Sequence, residues 1–104
     1  QHGFFHGGLI VSVADSAAGY AAYSLFPENS TVLTVDLKTN FLNPASGDQL
    51  IAVSEVIGIS SQLYHLKADV FSFVDQKKVH CLTGLFTMMC LIGKSDTAQT
   101  QGQG

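Results

Sequence analysis

The stretch from Leu9 to Phe26 constrains this chain most, because it is long, rich in apolar and small residues, and carries one formal charge, the carboxylate of Asp15. It contains no proline and is followed by the turn sequence Pro27-Glu28-Asn29-Ser30. We therefore predict one helix from Gly7 to Phe26, about 20 residues or roughly 30 Å long. Its apolar residues cover nearly the whole circumference, which predicts burial on every side. A buried carboxylate is costly unless it is paired, so Asp15 needs an explanation.

Composition excludes several classes of protein. The 104 residues, 46% apolar and 12% charged, indicate one folded domain. Five lysines, no arginine and a net charge of −3 do not give the positive surface that nucleic-acid binding needs. Asp15 near the centre of the apolar stretch, without flanking Lys or Arg, argues against a transmembrane helix. No signal peptide is visible at Gln1, and we expect that residues preceding it are missing.

The two cysteines, Cys81 and Cys90, lie in strand-like sequence without the spacing of a zinc site. We expect free thiols in a reducing cytoplasm, with no metal and no cofactor. Two strand histidines, His65 and His80, are expected to be hydrogen-bonded packing residues.

Four segments after the helix have the pattern of strands. The first is expected to place one set of mostly apolar residues on a single face, Leu33, Val35, Leu37, Thr39 and Phe41. Polar residues alternate with them on the other face. The second, residues 48–61, is expected to end in a turn region at Gly58–Ser61. The third, residues 62–75, has an apolar face at Leu66, Ala68 and Val70. The fourth, residues 79–93, follows a turn expected at residues 76–78.

One apolar helix followed by four strands with short turns predicts an α+β domain, with an antiparallel sheet curled around the helix. We expect this domain to span residues 1–93 and the polar tail, residues 94–104, to be disordered. Four strands leave open sheet edges, which a partner subunit commonly covers.

The sequence His6-Gly7-Gly8 stands where the helix begins, and free backbone N–H groups at a helix start can stabilise an oxyanion. A glycine pair here is also a common turn device. Asp15 follows His6 by nine residues, or ~12 to 14 Å along the axis. The acid therefore cannot act on a carbonyl held at its own helix start, and a second subunit would have to supply one of the two groups. Alternatively, Asp15 hydrogen-bonds to a neighbouring strand or points outward.

The segment HGGLIVSVADSAAGYAAYSLFPENSTVLTVDLKTNFLNPA resembles the PaaI-like branch of the hotdog-fold acyl-CoA thioesterases, in the 4-hydroxybenzoyl-CoA thioesterase superfamily. The likeness is carried by HGG, by Val13-Ala14-Asp15, and by Val35-Asp36-Leu37 through Phe41-Leu42-Asn43-Pro44-Ala45. Further on, DQKKVHCLTGLF resembles the closing strand of that family. The resemblance covers about residues 3–89.

The resemblance implies a hotdog fold, homodimers that often pair into tetramers, and an active site at the dimer interface that hydrolyses acyl-CoA without a cofactor. The Gly8 N–H would polarise the thioester carbonyl, and Asp15 of the other subunit would act as nucleophile or general base. Thr34 stands where relatives place a residue that holds the attacking water, and His6 would orient the site. The implied substrate-binding positions are Gly7, Phe5, Asn40, Ser60 and Ser61.

The sequence departs from the family pattern in two places. The usual first strand is absent, and Ser60-Ser61-Gln62 stands where many relatives carry a basic residue for the phosphates of CoA. Lys77, Lys78 and Lys94 could replace it, although solvated turn lysines are the plainer interpretation. The weak basicity leaves an acyl-carrier protein open as the thiol carrier.

Two alternatives to hydrolysis stay open at this stage. A non-catalytic hotdog protein that binds acyl thioesters is one, since a fold does not guarantee activity. A hotdog dehydratase or hydratase is the other, disfavoured because Asp15 lacks a neighbouring histidine. Aromatic residues such as Phe5, Tyr20 and Tyr23 could line an acyl pocket, or could simply be core residues.

Overall fold

The computed structural model describes residues 5–47 and 49–93. One helix, α1 (Gly7–Tyr23), precedes four strands in chain order, β1 (Ser30–Phe41), β2 (Gln49–Ser60), β3 (Leu63–Val74) and β4 (Lys77–Ile92). The strands form one antiparallel sheet in the order β1-β4-β3-β2, and α1 packs across it. The predicted α+β architecture is confirmed. The predicted disordered tail, residues 94–104, lies outside the described residues.

Helix α1 rests on the sheet through one stripe of small side chains. Ile10, Ala14, Ala18 and Ala22 recur at every fourth position and are buried. This spacing keeps all four on one side of a helix, and the three alanines allow close approach to the sheet.

The helix differs from the prediction at its end and on its outer side. It ends at Tyr23 rather than Phe26, because the N–H groups of Leu25 and Phe26 bond three residues back in a tighter turn. Burial on every side is also wrong for the single chain. The exposed fractions are 46% at Leu9, 77% at Tyr20 and 51% at Tyr23. The four strands cover one side of the helix and leave an apolar side open.

Strand β1 contains a bulge that overturns the predicted alternation. Its register against β4 shifts between Thr34 and Asp36. Before the bulge, Thr34 pairs with the buried Met88. After it, Leu37 pairs with the buried Phe86. Cross-strand partners share a face, so Thr34 and Leu37 lie on the helix side although three positions separate them. The prediction that Leu33 shares a face with Leu37 is therefore wrong.

The other strands follow the prediction with small differences. Leu66, Ala68 and Val70 are buried as predicted. Gly58 lies inside β2 at a second bulge instead of opening a turn. The turn before β4 is made by Asp75 and Gln76, both with positive φ, so the following lysines belong to the strand.

Candidate active site

Asp15 and Thr34 meet where α1 crosses the edge strand β1. Thr34 Oγ1 donates a hydrogen bond to Asp15 Oδ1 over 2.9 Å. Asp15 follows directly on Ala14 of the buried stripe, so it lies at the edge of the contact between helix and sheet. Thr34 reaches it because, before the β1 bulge, Thr34 is one of the alternate residues of β1 that face the helix. Of the alternatives for Asp15, the structure shows the hydrogen bond to a neighbouring strand.

Met88 of β4 forms the floor beneath this pair. It is fully buried, is the cross-strand partner of Thr34, and places Sδ 3.2 Å from Thr34 Oγ1. The sulfur is a weak acceptor, so the charged carboxylate is the stronger partner for the threonine hydroxyl. Thr34 therefore rests on a fully buried side chain of β4.

A cleft of about 440 Å³ opens beside the carboxylate. This Asp15 cleft runs along α1 toward its C-terminal end and along the first residues of β1. Its walls combine small, aromatic and hydroxyl-bearing side chains with one formal charge, and they are formed by Asp15, Ser16, Gly19, Tyr20, Tyr23, Ser30, Thr31, Val32, Thr34 and Met88. Such a cleft can hold an uncharged organic group next to a carboxylate.

The start of α1 carries the second group of predicted site residues. His6 is the N-cap, and its Nδ1 accepts a hydrogen bond from the Gly8 N–H over 3.1 Å. The amide predicted to contact a carbonyl is thus occupied by the imidazole of its own chain. The Gly7 N–H has no hydrogen-bond partner among residues 5–47 and 49–93. Gly7 therefore offers a helix-start donor that no described residue uses, and the Leu9 N–H is likewise without an acceptor among them.

A second cleft, about 510 Å³, adjoins the helix start. We call it the Phe41 cleft; its lining residues are Phe5, Gly7, Ile10, Phe41, Leu42, Asn43, Pro44 and Ala45. Two predicted substrate-binding residues, Phe5 and Gly7, lie here, and the Phe5 N–H donates to the Ala45 carbonyl over 2.8 Å. None of the residues that the structure describes lines both clefts, so this part of the chain keeps its acid and its helix-start amides apart.

The remaining predicted substrate-binding residues lie in neither cleft. Asn40 pairs with Thr83 on the sheet face opposite α1. Ser60 Oγ shares a 3.0 Å hydrogen bond with His65 Nε2, and Ser61 forms the β2–β3 turn with φ of 57°. Both histidines expected to be hydrogen-bonded are so, since His80 Nε2 lies 2.8 Å from Asp69 Oδ1.

The clearest electrostatic effect belongs to Asp69, on the sheet face away from the clefts. Burial raises the pKa of Asp69, but hydrogen bonds from Thr83, His80 and Lys67 outweigh burial and leave that pKa below its ordinary value. The Lys67 ammonium lies 3.3 Å from the carboxylate. This network stabilises the outer face of β3 and β4.

Sequence reasoning did not single out Ser16, Gly19 and Met88 as site residues. The signal for Gly19 was present, since residues four apart lie on the same side of a helix and Gly19 follows Asp15 by four. Met88 could be found only from strand register. Among the described residues, no cluster of three or more His, Cys, Asp or Glu could hold a metal ion. Within the same ranges, no helix is both long and apolar enough to cross a bilayer.

Comparison with known proteins adds the family context. The thioesterase superfamily model matches residues 2–78. A Halobacterium salinarum protein named as an esterase is 39% identical over 61 residues, 57% of this chain and 40% of its own length. A thioesterase family protein from Silicibacter pomeroyi has a solved structure with 42% identity and a TM-score of 0.84, covering 86% of this chain and 66% of that one.

A Bacillus halodurans protein solved with CoA has the same fold, with a TM-score of 0.77 and 23% identity over 85% of this chain and 60% of that one. The chain therefore spans less than two thirds of the length of each of these three relatives.

Proposed function

The chain belongs to the thioesterase superfamily, and from that membership we propose that it hydrolyses an acyl-CoA thioester to the free acid and CoA. The observation that carries the proposal is the Asp15–Thr34 pair, a carboxylate held by a hydroxyl at the end of a cleft to which the described residues contribute no other charge. A thioester is already an activated acyl group, so a positioned base or nucleophile and a stabilised oxyanion are enough for hydrolysis.

Asp15 has two possible roles in this reaction. As general base it takes a proton from water while the oxygen attacks the carbonyl carbon; the C–S bond then breaks and CoA leaves as its thiol. As nucleophile its oxygen attacks the carbonyl carbon, the C–S bond breaks and CoA leaves as its thiolate; water then hydrolyses the resulting mixed anhydride to the free acid and regenerates the carboxylate. Both roles require a carboxylate oxygen in a defined direction, and the Thr34 hydroxyl fixes Oδ1.

The oxyanion donor is proposed to come from the helix start of a second subunit. Asp15 lies nine residues from His6, and the Asp15 and Phe41 clefts share no lining residue. Strand β1 is a sheet edge, and α1 leaves Leu9 and Tyr20 exposed. An open edge beside an apolar helix surface is the kind of surface that a second copy covers. We propose a homodimer in which each Asp15 faces the partner's helix-start amides.

The CoA in the Bacillus halodurans structure supports CoA as the thiol carrier. The first test is thiol release from acetyl-, hexanoyl- and benzoyl-CoA by the wild type and by Asp15→Asn. An exposed carboxylate in the β3–β4 turn gives the control, Asp75→Asn, which we expect to retain wild-type rates. Loss of the base or nucleophile lowers kcat by about 100-fold or more. If the wild type and Asp15→Asn bind CoA esters but release thiol equally slowly, the protein is a binding module instead.

The shared site is tested by subunit mixing. Proline in the first helical turn removes one N–H with little damage to the helix, so Gly7→Pro and Gly8→Pro each delete one candidate donor. We expect either Asp15→Asn or the effective proline variant alone to be inactive. A mixed dimer of the two regains one wild-type site, and activity therefore returns on mixing. Failure of both mixtures to regain activity, with dimers present, contradicts a site built from two chains.

A further inference from the structure

Gly19 occupies a position in α1 where the folded chain has no need of glycine. It lies well inside the helix, where glycine is less favourable than alanine because it orders a more flexible backbone. A Cβ atom built at Gly19 meets nothing within 4 Å. Neither close packing nor an unusual backbone angle accounts for the residue. The missing side chain therefore only enlarges the space beside the helix.

That space belongs to the Asp15 cleft. Gly19 follows Asp15 by four residues, about 6 Å along the axis, and Tyr23 follows Gly19 by the same interval. The carboxylate thus stands at one end of the cleft, the glycine in its middle and the tyrosines toward the other end. The other walls near Gly19 include the apolar Val32 and Met88.

The charge of the cleft restricts which part of a thioester can lie there. Among residues 5–47 and 49–93, the one formal charge that lines it is the carboxylate of Asp15, and none of the lysines in these ranges reaches it. The phosphates of CoA, which need cationic or amide donors, are therefore poorly suited to this space. An uncharged apolar group that continues from the reacting carbonyl suits it well.

We propose that Gly19 is a specificity-determining residue: the acyl group of the substrate lies over its backbone, and the bare surface admits apolar or aryl acyl groups longer than acetyl. The inference rests on the proposed thioesterase function. An acetyl group ends before the glycine, whereas a hexanoyl or benzoyl group reaches it and extends toward Tyr20 and Tyr23.

The test replaces Gly19 by alanine and by valine. Binding is measured by calorimetry with the non-hydrolysable thioethers S-ethyl-CoA and S-hexyl-CoA, and turnover with acetyl-, hexanoyl- and benzoyl-CoA. For Gly19→Ala we expect affinity for S-hexyl-CoA, and kcat/KM for the two larger acyl groups, to fall about 10-fold. S-ethyl-CoA and acetyl-CoA should change by less than about 2-fold. Valine should enlarge the difference between long and short groups.

A structural role for Gly19 predicts a lower Tm for Gly19→Ala, whereas our proposal predicts the opposite. Because alanine favours the helix and meets no atom, Gly19→Ala should raise Tm by about 4 °C. The matched control, Ala17→Gly, alters the same helix at a residue that does not line the cleft. It should lower Tm by a similar amount while the preference between short and long groups stays unchanged.

Three outcomes overturn the proposal. An equal loss for ethyl and hexyl ligands places the pantetheine arm of CoA over Gly19. A lower Tm or loss of self-association in Gly19→Ala means that a second chain packs there. Unchanged affinity for S-hexyl-CoA means that the cleft does not hold the acyl group. Failure of the wild type to release thiol refutes the proposed hydrolysis, and the thioether binding still decides where the acyl group lies.

Discussion

Thr34→Val tests whether the hydroxyl that holds Asp15 matters for turnover. Valine keeps the branched shape and strand preference of threonine but removes the 2.9 Å hydrogen bond to Oδ1. A hydrogen bond to a charged group contributes about 1.5 to 3 kcal/mol, and this one is only half-buried, so we take about 1.5 to 2 kcal/mol. If the whole amount acts on the transition state, kcat/KM falls about 10- to 30-fold.

The assay is thiol release with the best acyl-CoA of the panel, beside urea unfolding of each variant. Thr34→Ser keeps the hydroxyl and should stay within about 3-fold of wild type, since only a methyl group is lost. Thr34→Val should lower the free energy of unfolding by no more than the same amount, about 1.5 to 2 kcal/mol. Wild-type turnover in Thr34→Val, or equal damage in Thr34→Ser, would refute the assignment of Thr34 as the residue that positions Asp15.

Three further predictions concern stability and are read from urea unfolding. Gly84→Ala should lower the free energy of unfolding by about 1 to 3 kcal/mol, because its Cβ would lie 2.9 Å from Thr39 Cγ2 and 3.0 Å from the Lys38 carbonyl oxygen. Thr39→Ser removes only the first contact and should recover part of the loss; no recovery would show that the backbone contact alone sets the cost. The lowered pKa of Asp69 stabilises the fold at neutral pH. The difference in free energy of unfolding between the wild type and Asp69→Asn should therefore shrink as pH falls below about 5. A difference that stays constant down to about pH 3 would be contrary evidence. His6→Ala should lower the free energy of unfolding by about 1 kcal/mol, because the N-cap hydrogen bond is lost. An unchanged urea midpoint would show that the imidazole does not stabilise the helix.

Strand order and register show which parts of the fold a sequence can predict. The alternation at Leu66, Ala68 and Val70 has period two, and the structure buries all three residues. The β1 bulge has no local signal: Leu33 to Phe41 alternate without interruption, and only pairing with β4 shows that the face changes between Thr34 and Asp36. The prediction of the helix end is wrong for a similar reason. Apolar residues 25 and 26 continue the helical pattern in the sequence, while the backbone there turns more tightly.

The candidate site likewise has some features that the sequence shows and others that depend on tertiary contacts. A single carboxylate in an apolar helix is visible in the sequence, and the resemblance singles out Thr34, but the hydrogen bond between the two side chains is seen only in the structure. The state of the Gly8 amide could not be predicted, because it depends on a rotamer of His6. The cleft beside Gly19 could not be predicted either, since it exists only where the helix and the edge strand diverge.

The two methionines of this chain are adjacent in β4, so they lie on opposite faces of the sheet. Met88 forms the buried floor of the Asp15 cleft, and Met89 pairs with Leu33 and Leu63 on the far side. Isotope labelling of methionine methyl groups would therefore give a two-signal NMR spectrum with one reporter for each face. A ligand in the cleft would move the Met88 resonance, and a molecule bound to the opposite surface would move that of Met89.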